Sequence, residues 1–589
     1  INLSTRNPTP EPEGYVELTQ ELENTKETSI DAAYGRFVTD TFGVRLAARY
    51  TSSNEWVDNT YNGQDMGGAH TEMVTRLSLL WEPSDRLNLA GKLQYSDLTL
   101  NERPSVLSKC SPALQAILAG GDDCRFDDDA TISARDPEGG WGGTEMQAMS
   151  AGLTVNWDMS DELTLTSVTG FTKHIEDLYL DSDYSLAEIL DSRRDENYQS
   201  ISQELRIASS TGGKFDYMAG VYVSQDELQF DAGLSYNGLF TRAADAYQET
   251  DSRAVFGQLT WHATGTLALT LGARYSEDEK DVEHTTWCTQ YKSKVPTGAA
   301  ACFGPTFQLT DSLDDENFSP SLTLEWTVSG DIMAYAKYSE GYKSGGFDLQ
   351  SLTGNLDTYQ FEPEEAKSYE AGVKSTLLGG GMTLNLALFR SEYTNLQVST
   401  FDGNVGFNVG NAAEAVSQGL DVDLNWAITD SLSTSLSLAF LDAFYDEFDT
   451  AQCSYPQTLV WAGPGACVAD MSDEETQYAP DWSGHWNLSW ETSVTDTLLL
   501  NLSGDLNFTD AFFAISDNDP EFRQGSYAKL DTRISLQPHE GHWELALVAR
   551  NLTDKRTFHI GNDVPLFPGS YFKDREVGRT VSLQARYRF

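Results

Sequence analysis

What this sequence lacks narrows it first. No stretch approaches the roughly 18 consecutive apolar residues of a membrane-spanning helix, so a helical membrane protein is excluded. Bases are scarce: 39 Lys and Arg stand against 90 Asp and Glu, a net charge of -51. Nucleic-acid phosphates demand stripes of Lys and Arg, so nucleic acid is excluded as a partner. No nucleophile elbow, Walker loop, zinc-protease helix or dinucleotide glycine fingerprint occurs, and no enzyme is expected. Proline and methionine are sparse, at 18 and 9 residues, which leaves few interruptions to strand ladders. The chain opens on Ile1 with no signal peptide, from which we expect material upstream.

Cysteine is scarce too, but its placement is regular. The pairs Cys110 and Cys124, Cys288 and Cys302, and Cys453 and Cys467 are each 14 residues apart. They lie in irregular polar stretches without metal-site spacing, which predicts three local loop disulfides in an oxidising compartment. On the chain-entropy model each is worth about 3 kcal/mol.

What the sequence does hold is aromatic residues, glycine and period-2 alternation. In Val44–Tyr50, Val44, Leu46, Ala48 and Tyr50 share one face while Arg45 and Arg49 share the other. The last residues, Gly578–Phe589, alternate in the same way and stop on an aromatic. About twenty-two such segments run from 14–24 to 576–589; among them are 214–230, 246–262, 267–283, 317–328 and 542–558. Their connections alternate between short and long. The short ones carry turn chemistry, as in Pro83-Ser84-Asp85-Arg86 and Ile428-Thr429-Asp430-Ser431, because tight hairpins use side chains that bond nearby backbone or tolerate positive φ. The long ones, 101–143, 178–195, 284–316, 345–364 and 448–479, include all three cysteine pairs. The fold class expected is all-β: a transmembrane antiparallel β-barrel of about 22 strands, with long extracellular loops and short periplasmic turns. Residues 1–13, with three prolines, read as a junction, and 14–589 as the barrel.

Energy decides which face of each strand meets lipid. An arginine on the lipid face at mid-membrane costs about 2–4 kcal/mol, so Arg45, Arg49, Arg533 and Arg550 are expected in the lumen, opposite outward leucines such as Leu530 and Leu547. Trp81, Trp157, Trp261, Trp326, Trp426 and Trp490, near strand ends, read as an interfacial girdle. Outer-membrane lipid and lipopolysaccharide are the surroundings this implies. The best metal candidate, ahead of His539 and His542 in a short turn that reads as solvated, is the acidic run Asp122, Asp123, Asp127, Asp128 and Asp129 beside Cys124. Hard oxygens suit Ca2+, although the spacing is not that of an EF-hand and a solvated loop accounts for the same residues. No cofactor is required.

Several stretches resemble the barrel domain of TonB-dependent outer-membrane receptors: SQELRIA at 202–208, FDYMAGVY at 215–222, YAKYSEGYKSGGF at 335–347, RNLTDKR at 550–556 and the closing Tyr587-Arg588-Phe589. The resemblance spans nearly the whole chain, with residues 1–10 like the end of that family's plug domain. It implies residence in the outer membrane of a Gram-negative bacterium and a plug, missing here or separate, through which the TonB system acts. It further implies energised uptake of a scarce small-molecule nutrient, most often an iron chelate of siderophore type. An oligosaccharide or other small organic is one alternative; another is a passive pore or scaffold filled by a separate polypeptide. Arg586 and Arg588, with the other lumenal arginines, are then expected to face the plug. Tyr342, Lys343 and Phe347, flanked by Gly341, Gly345 and Gly346, are candidate ligand contacts where the family carries a mobile loop; glycines that merely relieve a strand end are the competing reading.

Overall fold

The computed structural model describes residues 5–60, 63, 65–101, 103–118, 124–126, 142–184, 189–209, 212–236, 239–290, 306–351, 359–401, 407–461 and 467–589. Its main feature is one 22-stranded antiparallel sheet. Each strand pairs with its neighbour in the chain, and the first, Glu13–Glu21, pairs with the last, Thr580–Arg588. The sheet therefore closes on itself and has no edge.

The register bears out the facing argued from energy. Leu18, Ile30, Tyr50 and Met73 lie side by side across four successive strands, and all four are exposed on the outer surface. Their sequence neighbours face the lumen. Arg45 is nearly buried against Glu13 at 2.9 Å, and Arg49 lies 3.7 Å from Asp31. The six tryptophans each fall within a few residues of a short turn, as Phe42 opposite Trp81 and Leu432 opposite Trp490 show. That is where an amphipathic ring rests at a bilayer interface.

The strands differ from expectation in length. A barrel strand needs only about 9–11 residues to cross a bilayer, yet four consecutive strands, Phe215–Tyr236, Phe240–His262, Leu267–Gln290 and Phe307–Ser329, have 22 to 24 residues. Residues 284–290 and 307–316, expected as connection, continue these strands. So does much of 178–195, because strands Leu163–Asp181 and Leu190–Ser209 occupy most of it. On Leu267–Gln290 the outward face changes from Leu269, Leu271 and Tyr275 to Glu277, Glu279, Asp281 and Glu283. The ladder persists above the membrane, where the outward face meets water and no longer needs to be apolar.

The segment expected as strand 542–558 also departs from plan. It stops at Arg550, because Asn551 and Asp554 adopt positive φ of 47° and 51°. Asn551 accepts from the Lys555 amide at 3.0 Å and donates to its carbonyl at 2.9 Å, and Asp554 accepts from the Arg579 amide at 2.8 Å. The RNLTDKR stretch is thus a self-bonded knot that ends one strand and steadies the start of the next.

Closure is stitched on both faces. Outside, Gly14 and Phe589 exchange backbone hydrogen bonds at 2.8 and 3.0 Å. The Phe589 ring fills the space a side chain at Gly14 would take, since an added Cβ would meet it at 2.7 Å. Inside, Arg586 pairs with Glu17, Gln584 donates to Glu17 at 2.9 Å, Arg533 reaches Gln584 and Glu544 at 2.6 Å each, and Arg588 reaches Glu544 at 2.8 Å. Reversing Arg586 to Glu places two carboxylates together and should cost the barrel about 2 kcal/mol. The double exchange Glu17→Arg with Arg586→Glu should recover most of it. The temperature at which the folded band disappears in semi-native gels reads both; equal losses from the single and double variants would count against a pair at the seam.

Candidate functional site

The loops at the mouth fold into a cap. Ser105–Lys109, Phe558–Asp563 and Tyr571–Arg575, from two connections far apart in sequence, form a three-stranded sheet. Beneath it Leu107, Leu114, Leu118, Val564, Phe567 and Phe572 make one apolar cluster, to which helix Pro112–Leu118 contributes its buried leucines. A third connection joins through Lys109 and Glu521 at 2.5 Å and through Tyr571, which packs edge-on against Phe522 and donates to Asp519 at 3.2 Å. Two expected disulfides are present, Cys110–Cys124 in this cap and Cys453–Cys467 in the loop beyond it. The Cys288–Cys302 pairing involves Cys302, outside the described residues, as are Asp122, Asp123, Asp127, Asp128 and Asp129. Among the described residues no group of three or more His, Cys, Asp or Glu is placed to hold a metal.

Strand Phe558–Asp563 divides the mouth into two chambers of about 420 Å³ each, and Ile560, Asn562 and Asp563 line both. One chamber is basic. Arg103, Arg193, Arg194 and Arg242 line it, with Tyr184, Phe230 and Phe572 as aromatic wall. Its arginines are set in place: Arg194 by Glu176, Arg193 by Asp195 at 3.0 Å, and the buried Arg242 by the Thr286 hydroxyl at 2.9 Å. Planar guanidinium groups beside aromatic faces suit a flat, anionic, oxygen-rich ligand. The other chamber is lined by Tyr455, Tyr478, Phe448 and the carboxylates Asp517 and Asp563.

None of Tyr342, Lys343 and Phe347 lines a chamber. Tyr342 donates to Asp278. Lys343 is exposed. Phe347 is buried with Val282 and Tyr359, in a segment tied down by the Gly345 amide to Asp315 at 2.8 Å and by Tyr359 to His284 at 3.0 Å. Two of the three glycines are required by close packing: a Cβ at Gly345 would lie 2.5 Å from the Phe361 carbonyl and one at Gly346 2.6 Å from the Phe361 ring, whereas one at Gly341 would meet nothing within 4 Å. Arg533, Arg586 and Arg588 engage wall partners, while Arg550 is exposed. The sequence reading missed the arginines of the basic chamber. Arg193-Arg194 is the one adjacent arginine pair in this acidic chain, and that was the available signal.

Burial pushes the Asp517 carboxyl up to about 6, and burial together with Asp517 and Asp519 pushes Asp563 up to about 7. Both lie above the ordinary unfolded value near 4, so the folded cap holds protons that the opened cap releases. Their contribution is complete below that value and is lost as pH rises through about 6 to 7. Hydrogen exchange, corrected for intrinsic rate, should show residues 510–526 and 558–575 better protected at pH 5.5 than at pH 8, and Asp563→Asn should flatten the difference. A slope unchanged by that substitution would contradict the assignment.

Residues 112–552 match the family of TonB dependent receptor-like beta-barrels. The pesticin receptor of Yersinia enterocolitica is 23% identical over 390 residues, 66% of this chain and 51% of that receptor. This chain thus spans about half the length of such curated relatives. The probable TonB-dependent siderophore receptor PiuA of Acinetobacter baumannii is 25% identical over 309 residues, 50% of this chain and 37% of that protein. Among solved structures, the ferric yersiniabactin uptake receptor FyuA from Yersinia pestis superposes with a TM-score of 0.78 at 16% identity, over 99% of this chain and 81% of that one. The ferric-catecholate import receptor Fiu from K12 E. coli gives 0.72 at 14% identity, over 99% and 83%. These relatives are receptors rather than enzymes, and identities this low carry the likeness of fold. The chain belongs to the TonB-dependent receptors and forms their integral outer-membrane β-barrel.

Proposed function

We propose that this barrel is the channel of a transporter that takes up an iron chelate of siderophore type, recognised as an anion in the arginine-walled chamber. A plug domain in the lumen and the TonB system acting on it complete the machine, as the family implies. The observation that carries the reading is the concentration of Arg103, Arg193, Arg194 and Arg242 around one aromatic-walled chamber of about 420 Å³, in a chain whose net charge is -51. Such a local reversal of sign offers an anionic ligand a site and leaves the acidic remainder to repel it elsewhere. Siderophore receptors among the relatives and structural neighbours support the ligand class.

Titration of the full-length receptor with a panel of ferric chelates, following tryptophan fluorescence, should find binding confined to anionic members. Arg194→Ala and Arg242→Ala should each weaken it about tenfold, equivalent to ~1.5 kcal/mol for a charge-assisted hydrogen bond. Equal binding of neutral sugars, or affinities untouched by both variants, would overturn the reading.

A further inference from the structure

The chamber on the acidic side of Phe558–Asp563 has no role in the uptake of an anion. Among the described residues that line its 420 Å³ are two carboxylates, Asp517 and Asp563, and no Lys, Arg or His. Asp517 accepts the Asp519 amide at 3.0 Å, but no base offsets the burial of either carboxyl, and the neighbouring charges acting on them are those of Asp517 and Asp519. Lys109, on the adjoining cap strand, is engaged by Glu521 at 2.5 Å. Tyr445, Tyr455, Tyr478 and Tyr571 also surround the pair, and phenols stay neutral where carboxyls titrate. Ser516 lines the same chamber, is only 7% exposed, and its hydroxyl has no partner among the described residues. Buried carboxylates without a counter-ion and a buried hydroxyl without a hydrogen bond are each unfavourable. One cation rich in donors would relieve all three. The remaining wall is apolar or aromatic, with Phe448, Ile515, Ile560 and Leu566 beside the Tyr455 and Tyr478 rings.

A hard divalent cation takes about six to eight oxygen ligands, which these walls do not supply. A hydrocarbon chain ending in an ammonium fits them better: the chain lies on the apolar wall, the charge meets carboxylates and aromatic faces, and the three N–H donors reach Asp517, Asp563 and Ser516. We propose that this chamber is a second recognition site, for a primary ammonium on a short alkyl arm, and that the ligand of this receptor carries such an arm beside its anionic chelate. Ile560, Asn562 and Asp563 line both chambers, so the two charges of one ligand are read on opposite sides of a single strand. The inference rests on the transporter reading above, which supplies the chelate. An alkylammonium stays charged to about pH 10, whereas Asp517 and Asp563 ionise at about 6 and about 7. Affinity for the arm therefore grows as pH rises through that window, and its binding expels protons, the reverse of the cap's own preference for them.

The test titrates the full-length receptor by calorimetry with two probes that share one anionic head: the ferric complex of 2,3-dihydroxybenzoyl-lysine, and the same complex acetylated on the lysine Nζ. At pH 8 the free amine should bind about tenfold more tightly than its acetylated form, and at pH 5.5 the two affinities should converge. At pH 6.5, heats in buffers of unlike ionisation enthalpy should show proton release for the free amine alone. Asp517→Asn should bring the ratio at pH 8 to within about twofold, Ser516→Ala should lower it as a second variant that removes no charge, and Arg194→Ala should weaken both probes together. Equal binding of the two probes at pH 8 overturns the ammonium site and leaves the basic chamber standing. Binding of neither overturns the transporter reading and this inference together. A preference for the amine that persists at pH 5.5, or in both Asp517→Asn and Ser516→Ala, overturns its placement in this chamber.

Discussion

Everything in this structure depends on satisfying backbone hydrogen bonds where there is no water to do so. Each N–H and C=O left unpaired in hydrocarbon costs several kcal/mol, which leaves a strand-built protein no stable option but closure. The meeting of Glu13–Glu21 with Thr580–Arg588 meets that demand. It joins the two ends of the chain, so no local hairpin can supply it. The wall therefore concentrates side-chain bonds there, with Arg586, Gln584 and Arg533 binding Glu17 and Glu544 on the lumenal face and Phe589 seated over Gly14 outside.

Closure then fixes what each face can be. Outward residues are apolar through the bilayer and acidic above it, while inward residues carry both signs. Charge of either sign is admissible in the lumen because it is hydrated or paired, as Arg45 with Glu13 and Arg533 with Glu544 show. At the mouth the same freedom builds two chambers of unlike charge on either side of Phe558–Asp563.

The membrane-crossing part was legible in the sequence because lipid enforces a strict pattern. Arg45 and Arg49 could face only one way, and the count and order of strands followed. Above the membrane that enforcement ends. Residues 284–290 and 307–316 read as connection for lack of that pattern, yet continue a ladder held by neighbouring strands. The cap was illegible for a related reason: its sheet joins Ser105–Lys109 to Tyr571–Arg575, pairing segments more than 400 residues apart with no local signature. Phe347 misled in the opposite direction. An aromatic among glycines resembles a ligand contact, whereas Gly345 and Gly346 are small because Phe361 presses against them and Phe347 is core. The chamber arginines carried only the weak signal of Arg193-Arg194, since Arg103 and Arg242 are brought to them by the fold.

The most direct test of this account is covalent capture of the seam. Leu18 and Ala585 face each other across the first and last strands, whereas Leu18 and Leu583 are offset by two residues. Cysteines introduced at Leu18 and Ala585 should cross-link in receptor folded in the outer membrane, giving a circularised chain of altered gel mobility, and cysteines at Leu18 and Leu583 should cross-link far less. Efficient capture of the offset pair, or of neither, would contradict a barrel closed in this register.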